Sequence, residues 1–133
     1  MIVVDEQLQD YGLCALIARW YPGRVVAITQ LRPQTLIFDD AIPTLLRRWS
    51  APTFVTINVH DFWGHLAPDP HFGVVCVDVP HVKANEVSRL IRRAFALDPL
   101  QTRRQRLGKI VRVRREQVEF YTVESNLVQT IAW

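Results

Sequence analysis

The sequence predicts an α/β domain built on a mostly parallel sheet, and three observations predict it. Short, uninterrupted apolar runs read as strands buried on both faces, stretches of helical period separate them, and the two alternate in the order β, α, β, α, β, β, α. At 133 residues the chain is the size of one domain and too short for two independent cores. Its 49% hydrophobic and 22% charged residues place it among globular chains, apart from disordered or collagenous ones.

The elements follow in order. Ile2, Val3 and Val4 form a buried strand that ends in Asp5 and Glu6. Leu8, Leu13, Leu16, Ile17 and Trp20 recur at helical spacing until Pro22-Gly23 stops them. Residues 25–28 make a second strand. A second helix is expected from Asp39-Asp40, because aspartate is a good N-cap and Pro43 is tolerated only in a first turn. It runs through Leu45, Leu46 and Trp49 to the stop at Ser50-Ala51-Pro52. The β-branched and aromatic run TFVTI, 53–57, is a third strand, and residues 73–79 are a fourth beyond a loop containing Pro68 and Pro70.

Over residues 83–97, Val87, Leu90, Ile91, Ala94 and Phe95 share one helical face, and Lys83, Arg89, Arg92 and Arg93 share the other. Past Asp98-Pro99 and Gly108, residues 109–123 alternate apolar and polar about a turn near Arg115-Glu116, the pattern of a β-hairpin. The expected organisation is one domain over 1–133, with a core of about 1–98 and a basic segment and hairpin appended over 99–133. Helices are expected on both faces of the sheet, giving three layers.

No window approaches the roughly 20 apolar residues that span a bilayer, and the N-terminus lacks the features of a signal peptide. A cytoplasmic location without membrane association is the expectation. Cys14 and Cys76 sit in apolar surroundings and read as small buried hydrophobes rather than as a disulfide or a zinc pair.

The net charge of +3 hides an asymmetry. Residues 1–82 carry five basic and eight acidic groups, residues 83–115 eleven basic and two acidic, and residues 116–133 three acidic and no basic ones. Clustered carboxylates in the front half joined to a strongly basic segment suit a polyanion held beside bound metal ions, although a charge run is as often plain solvated surface.

In open α/β sheets ligands bind beyond the carboxyl ends of the strands. Asp5 follows the first strand, Asp39 and Asp40 open the second helix, and Asp61 follows the third strand. Carboxylates gathered from distant segments repel one another unless a cation neutralises them, and hard oxygen ligands suit Mg2+ or Mn2+. Such an ion could activate water against a phosphodiester. Taken singly, each aspartate has a plainer use as a helix cap or turn residue; their joint placement is the stronger signal.

These motifs carry a resemblance. VVDEQL at the start, DDAI at a helix start and VTINVHDFW after a strand, in that order over residues 2 to about 80, resemble the PIN-like family related to bacterial toxin-type PIN ribonucleases. The resemblance implies a PIN-like fold and a Mg2+- or Mn2+-dependent endoribonuclease. It implies Asp5, Asp39, Asp40 and Asp61 as catalytic residues, with metal held by Asp5, Glu6, Asp39, Asn58 and Asp61. It also implies a toxin role, with a small antitoxin protein as partner. Asn58 departs from the pattern, because the family has an aspartate in that motif and an asparagine oxygen brings no charge. A catalytically weak or inactive PIN-like module, binding RNA or a protein partner, is therefore the alternative.

Arg89, Arg92, Arg93, Arg103, Arg104, Arg106 and Lys109 are the expected RNA contacts, with Arg112, Arg114 and Arg115 beside them. The same basic surface equally suits an acidic antitoxin segment or a second copy of the chain in a homodimer. Trp63 and Trp133 are candidates for base stacking, though aromatic side chains more often pack. His60, His65 and His71 share a loop but match no metal-ligand spacing.

Overall fold

A computed structural model describes residues 1–9, 11–32 and 39–133. Its centre is one seven-stranded sheet in the order β2-β1-β3-β4-β5-β6-β7. The strands are β1 (Ile2–Val4), β2 (Val25–Ala27), β3 (Thr53–Thr56), β4 (Gly73–Val77), β5 (Lys109–Val113), β6 (Gln117–Thr122) and β7 (Gln129–Ala132). The first five run parallel, with Val3 opposite both Val26 and Phe54, Val55 opposite Val75, and Val75 opposite Val111. β6 and β7 close the sheet antiparallel.

The helices are α1 (Glu6–Gln9), α2 (Leu13–Ala18), α3 (Ile28–Leu31), α4 (Ile42–Leu46), α5 (Val59–Phe62), α6 (Ala84–Ala94) and α7 (Arg103–Arg106). Because strand side chains alternate, two cores result. On one face Ile2, Val4, Val55, Val75, Val77, Val111 and Val113 pack under α2 and α6, whose Leu13, Ile17, Val87, Leu90 and Ile91 are buried. On the other, Val3, Phe54, Val74, Cys76 and Ile110 pack under α3, α4 and α5 through Ile28, Ile42, Leu45, Leu46 and Phe62. Full burial of a Val, Leu or Ile side chain contributes about 1.5–3 kcal/mol, so strands this short hold because nearly every residue is sandwiched. The three layers predicted from the apolar runs are present.

The predicted hairpin is present as β5 and β6, but it is built into the sheet. β5 is no appendage: it is the fifth parallel strand, reached from β4 through α6, and Val111 and Val113 are as buried as the residues of β3. Leu100, Val118 and Phe120 belong to the same core as Ile2 and Val4, so the 1–98 segment alone leaves that core incomplete. A further strand, β7, was not predicted; only Ile131 of its four residues is even half-buried. Cys14 and Cys76 are both free thiols, and burial pushes the Cys76 thiol up to about 12. No helix among the described residues is long and apolar enough to cross a membrane.

Candidate functional site: the carboxyl edge of the sheet

Parallel pairing puts the carboxyl ends of β1, β3, β4 and β5 along one edge, and the loops there carry most of the predicted acidic residues. Asp5 leaves β1 pointing to the α4–α5 face, one step beyond the Val4–Val55 pair, and so lies beside Thr56. Asp5 is only 6% exposed. The Thr56 hydroxyl donates to its Oδ2 at 2.6 Å and accepts from the Asn58 backbone N–H at 2.9 Å. Thr56 thus clamps the aspartate to the turn that follows β3.

Burial raises the Asp5 pKa above the ordinary carboxylate value, and the nearby charges of Asp39 and Glu6 add to it against the hydrogen bonds from Thr56 and the Glu6 backbone. Asp39 is also raised, first by partial burial, then by the charge of Asp61, a hydrogen bond with Asp61, and the charge of Asp40. Asp39 therefore reaches electrostatically to both Asp5 and Asp61, linking carboxylates from three separated segments. Like charges held together in this way disfavour ionisation, and a cation would relieve the repulsion.

Asp39 and Asp40 begin the second helix as expected, but in a 3-10 turn, Asp39–Ala41, that leads directly into α4. Ala41 is the residue before α4, which has no side-chain cap and carries Pro43 in its first turn. Neither aspartate is used as the cap of α4. Both are exposed, as is Glu6, which opens α1.

Asn58 has a defined use. It is the N-cap of α5, with its Oδ1 accepting from the Asp61 backbone N–H at 3.4 Å and its Nδ2 donating to Asp61 Oδ2 at 2.8 Å. The amide that replaces the expected acid holds the Asp61 carboxylate instead of repelling it. Asp61 also meets Asp39, so Asn58 fixes one side of the cluster.

The chemistry of this donor set fits a hard divalent ion, because Asp5, Asp39 and Asp61 offer only oxygen. As placed, however, no three His, Cys, Asp or Glu side chains among the described residues are grouped closely enough to hold an ion. His60 and His65 face each other with ring centroids 6.4 Å apart, and His71 pairs with Asp69 instead, at 2.8 Å.

The predicted RNA contacts divide. Arg89, Arg92 and Arg93 lie on the solvent side of α6, where Arg93 stacks on Trp133 with 4.4 Å to the ring centroid. Trp133 donates its ring N–H to the Arg115 carbonyl at 2.8 Å, so it packs on its own chain. Trp63 likewise pairs with Tyr121 at 5.0 Å, under Arg112. Arg103, Arg104 and Arg106 precede β5 and Lys109 is its first residue, which puts them at the amino edge, away from the carboxylates of the carboxyl edge. Arg106 is corrected outright: it is 3% exposed, donating to Thr53 Oγ1 at 3.1 Å and to the Leu100 carbonyl at 2.9 Å, and stacked 4.0 Å from the Phe95 centroid. Lys109 Nζ is bonded to the Gln105 carbonyl.

Two residues at the carboxyl edge were missed. Thr56 is detectable only from register, once β1 and β3 are known to be neighbours. Asp78 follows β4 as Asp5 follows β1, but Arg112 occupies it at 2.7 Å, with Arg114 and Glu119 completing the ion-pair group. No family model, curated protein or solved structure matches the chain.

Proposed function

We propose that the carboxyl edge is the active site of a divalent-metal-dependent nuclease acting on RNA. The observation that carries the reading is geometric: Asp5 at the end of β1, held by Thr56, and Asp61 in the helix after β3 both sit at the carboxyl edge, where an α/β sheet binds ligands. Asp5, Asp39 and Asp61 would hold Mg2+ or Mn2+, with Glu6 and Asp40 at its margin. Such an ion, when bound, supplies charge to stabilise the attacked phosphate and to acidify water. This chain's own residues set the geometry: Thr56 orients Asp5, and Asn58 orients Asp61. The choice of RNA, and of a small antitoxin protein as partner, comes from the resemblance of the acidic motifs to toxin-type PIN ribonucleases.

A labelled RNA pool incubated with Mg2+, Mn2+ or chelator tests the proposal. Wild type should cut only with metal, and Asp5→Asn and Asp61→Asn should each lower the rate at least about a hundredfold while keeping the native circular dichroism spectrum. Cleavage that persists in chelator, or that survives Asp5→Asn, would sink it.

A second reading is favoured by one contact, the Asn58 amide hydrogen bonded to Asp61. It is a catalytically weak module that retains RNA or a protein partner at this edge. Asn58→Asp separates the two: restored metal affinity together with a gain of cleavage would identify a degraded enzyme, and unchanged cleavage by an already active wild type would discard this reading.

A further inference from the structure

We infer a second site, at the amino edge of the sheet, that binds a single-stranded polynucleotide by stacking its bases and holding its phosphates. A groove of about 520 Å3 opens there, lined by Tyr21, Gly23, Arg24, Trp49, Ser50 and Arg103. Its residues come from the turn before β2, the end of α4 and the start of α7, so three loops that all precede strands converge on it.

Trp49 is half-buried and, among the described residues, belongs to neither core cluster. The Arg24 guanidinium lies 5.7 Å from the centroid of the Trp49 ring. Tyr21 is backed from inside the protein by Arg106, whose guanidinium is 6.0 Å from the Tyr21 centroid and donates to its hydroxyl at 3.4 Å. Gly23 packs closely on the Tyr21 ring, where any Cβ would clash, and this leaves the groove open beside the ring.

The charges point the same way. Arg47, Arg112 and Arg115 have carboxylate partners in Asp69, Asp78 and Glu86. Arg24 and Arg103 are exposed, and among the described residues they have none and no carboxylate lines the groove. Aromatic faces beside unpaired guanidinium groups are what single-stranded nucleic acid requires: the rings stack on unpaired bases of any identity, and the cations follow the backbone. A duplex hides its bases and could use only the cations.

The inference does not depend on cleavage at the other edge, and its test separates the two. Anisotropy of labelled oligouridylate and oligothymidylate, and of a duplex of equal length, is measured in chelator so that no metal-dependent reaction occurs. Either single strand should bind more tightly than the duplex, and their ratio reports whether the sugar is read. Trp49→Ala and Arg103→Glu should each weaken binding about tenfold or more, and binding should quench the fluorescence of wild type but not of Trp49→Leu. Arg103 is exposed on a surface turn, so its variant remains informative even if Trp49 variants lose their fold. Equal binding of duplex and single strand, unchanged affinity in Arg103→Glu, or equal competition by polyglutamate would overturn the inference, the last by assigning the groove to acidic protein.

Discussion

Asp5 and Arg106 are both buried and both charged, and they illustrate what single residues contribute. Arg106 meets its needs internally, through Thr53, Leu100 and the faces of Phe95 and Tyr21. Hydrogen bonds to a charged group contribute about 1.5–3 kcal/mol each, and the aliphatic stem adds packing. Arg106→Ala should therefore lower stability by about 3 kcal/mol or more in urea unfolding, whereas Ala at the exposed Arg103 should change it by less than about 0.5 kcal/mol. Asp39 behaves in the opposite sense. Its folded-state pKa is raised, so its ionised form is disfavoured by folding: the penalty is fully present above the folded pKa and fades as pH falls toward the ordinary value of 3.8. In metal-free protein Asp39→Asn should thus raise the melting temperature slightly at neutral pH and have no effect at about pH 3.8 and below, as followed by thermal melts. Asp5, Asp39 and Asp61 were legible from the sequence because they follow strands or open a turn. Thr56 was not, since its role comes from the β1–β3 register, and Arg106 was misread because charge composition carries no sign of burial.

At the scale of elements, the parallel strands were visible as apolar runs because both their faces are covered. β5 was recognised as a strand paired with β6, but its second neighbour, β4, was not predicted: alternation predicts a half-buried arm, and Arg112 interrupts the apolar run that a central strand usually shows. That arginine is tolerated because Asp78 and Glu119 flank it near the open carboxyl edge. β7 escaped notice because an exposed edge strand leaves little apolar pattern. The placement of β5 has a consequence for truncation. A chain ending at residue 98 loses three strands and uncovers α6, and should show neither a cooperative melt nor dispersed amide resonances. Gly73 gives a finer test of the same packing. A Cβ there would meet the Arg106 backbone carbonyl well inside contact distance, so Gly73→Ala must push α7 off the start of β4. Overpacking of this kind costs about 1–3 kcal/mol, readable as a lower urea midpoint.

Across the whole molecule, the chain separates charge by sheet edge. Asp5, Asp61 and Asp78 follow the carboxyl ends of parallel strands, while the start of α7 carries Arg103 and Arg104 to the amino ends. Strands of three to five residues, rising about 3.3 Å each, keep the edges roughly 10–15 Å apart. The basic segment that in sequence looks like a track beside the carboxylates is divided by the fold, and Arg112, Arg114 and Arg115, which reach the acidic edge, are each already paired. Sequence gave the two charge populations without their geometry, because which edge a loop occupies depends on strand direction. The claim at the centre of this account is that Asp5, Asp39 and Asp61 form one divalent-cation site, and titration calorimetry with Mn2+ tests it most directly. Wild type should show saturable binding that Asp5→Asn and Asp39→Asn each weaken about tenfold or more, because each removes a charged oxygen ligand. Absence of saturable binding by the folded wild type, or equal binding by both variants, would contradict it.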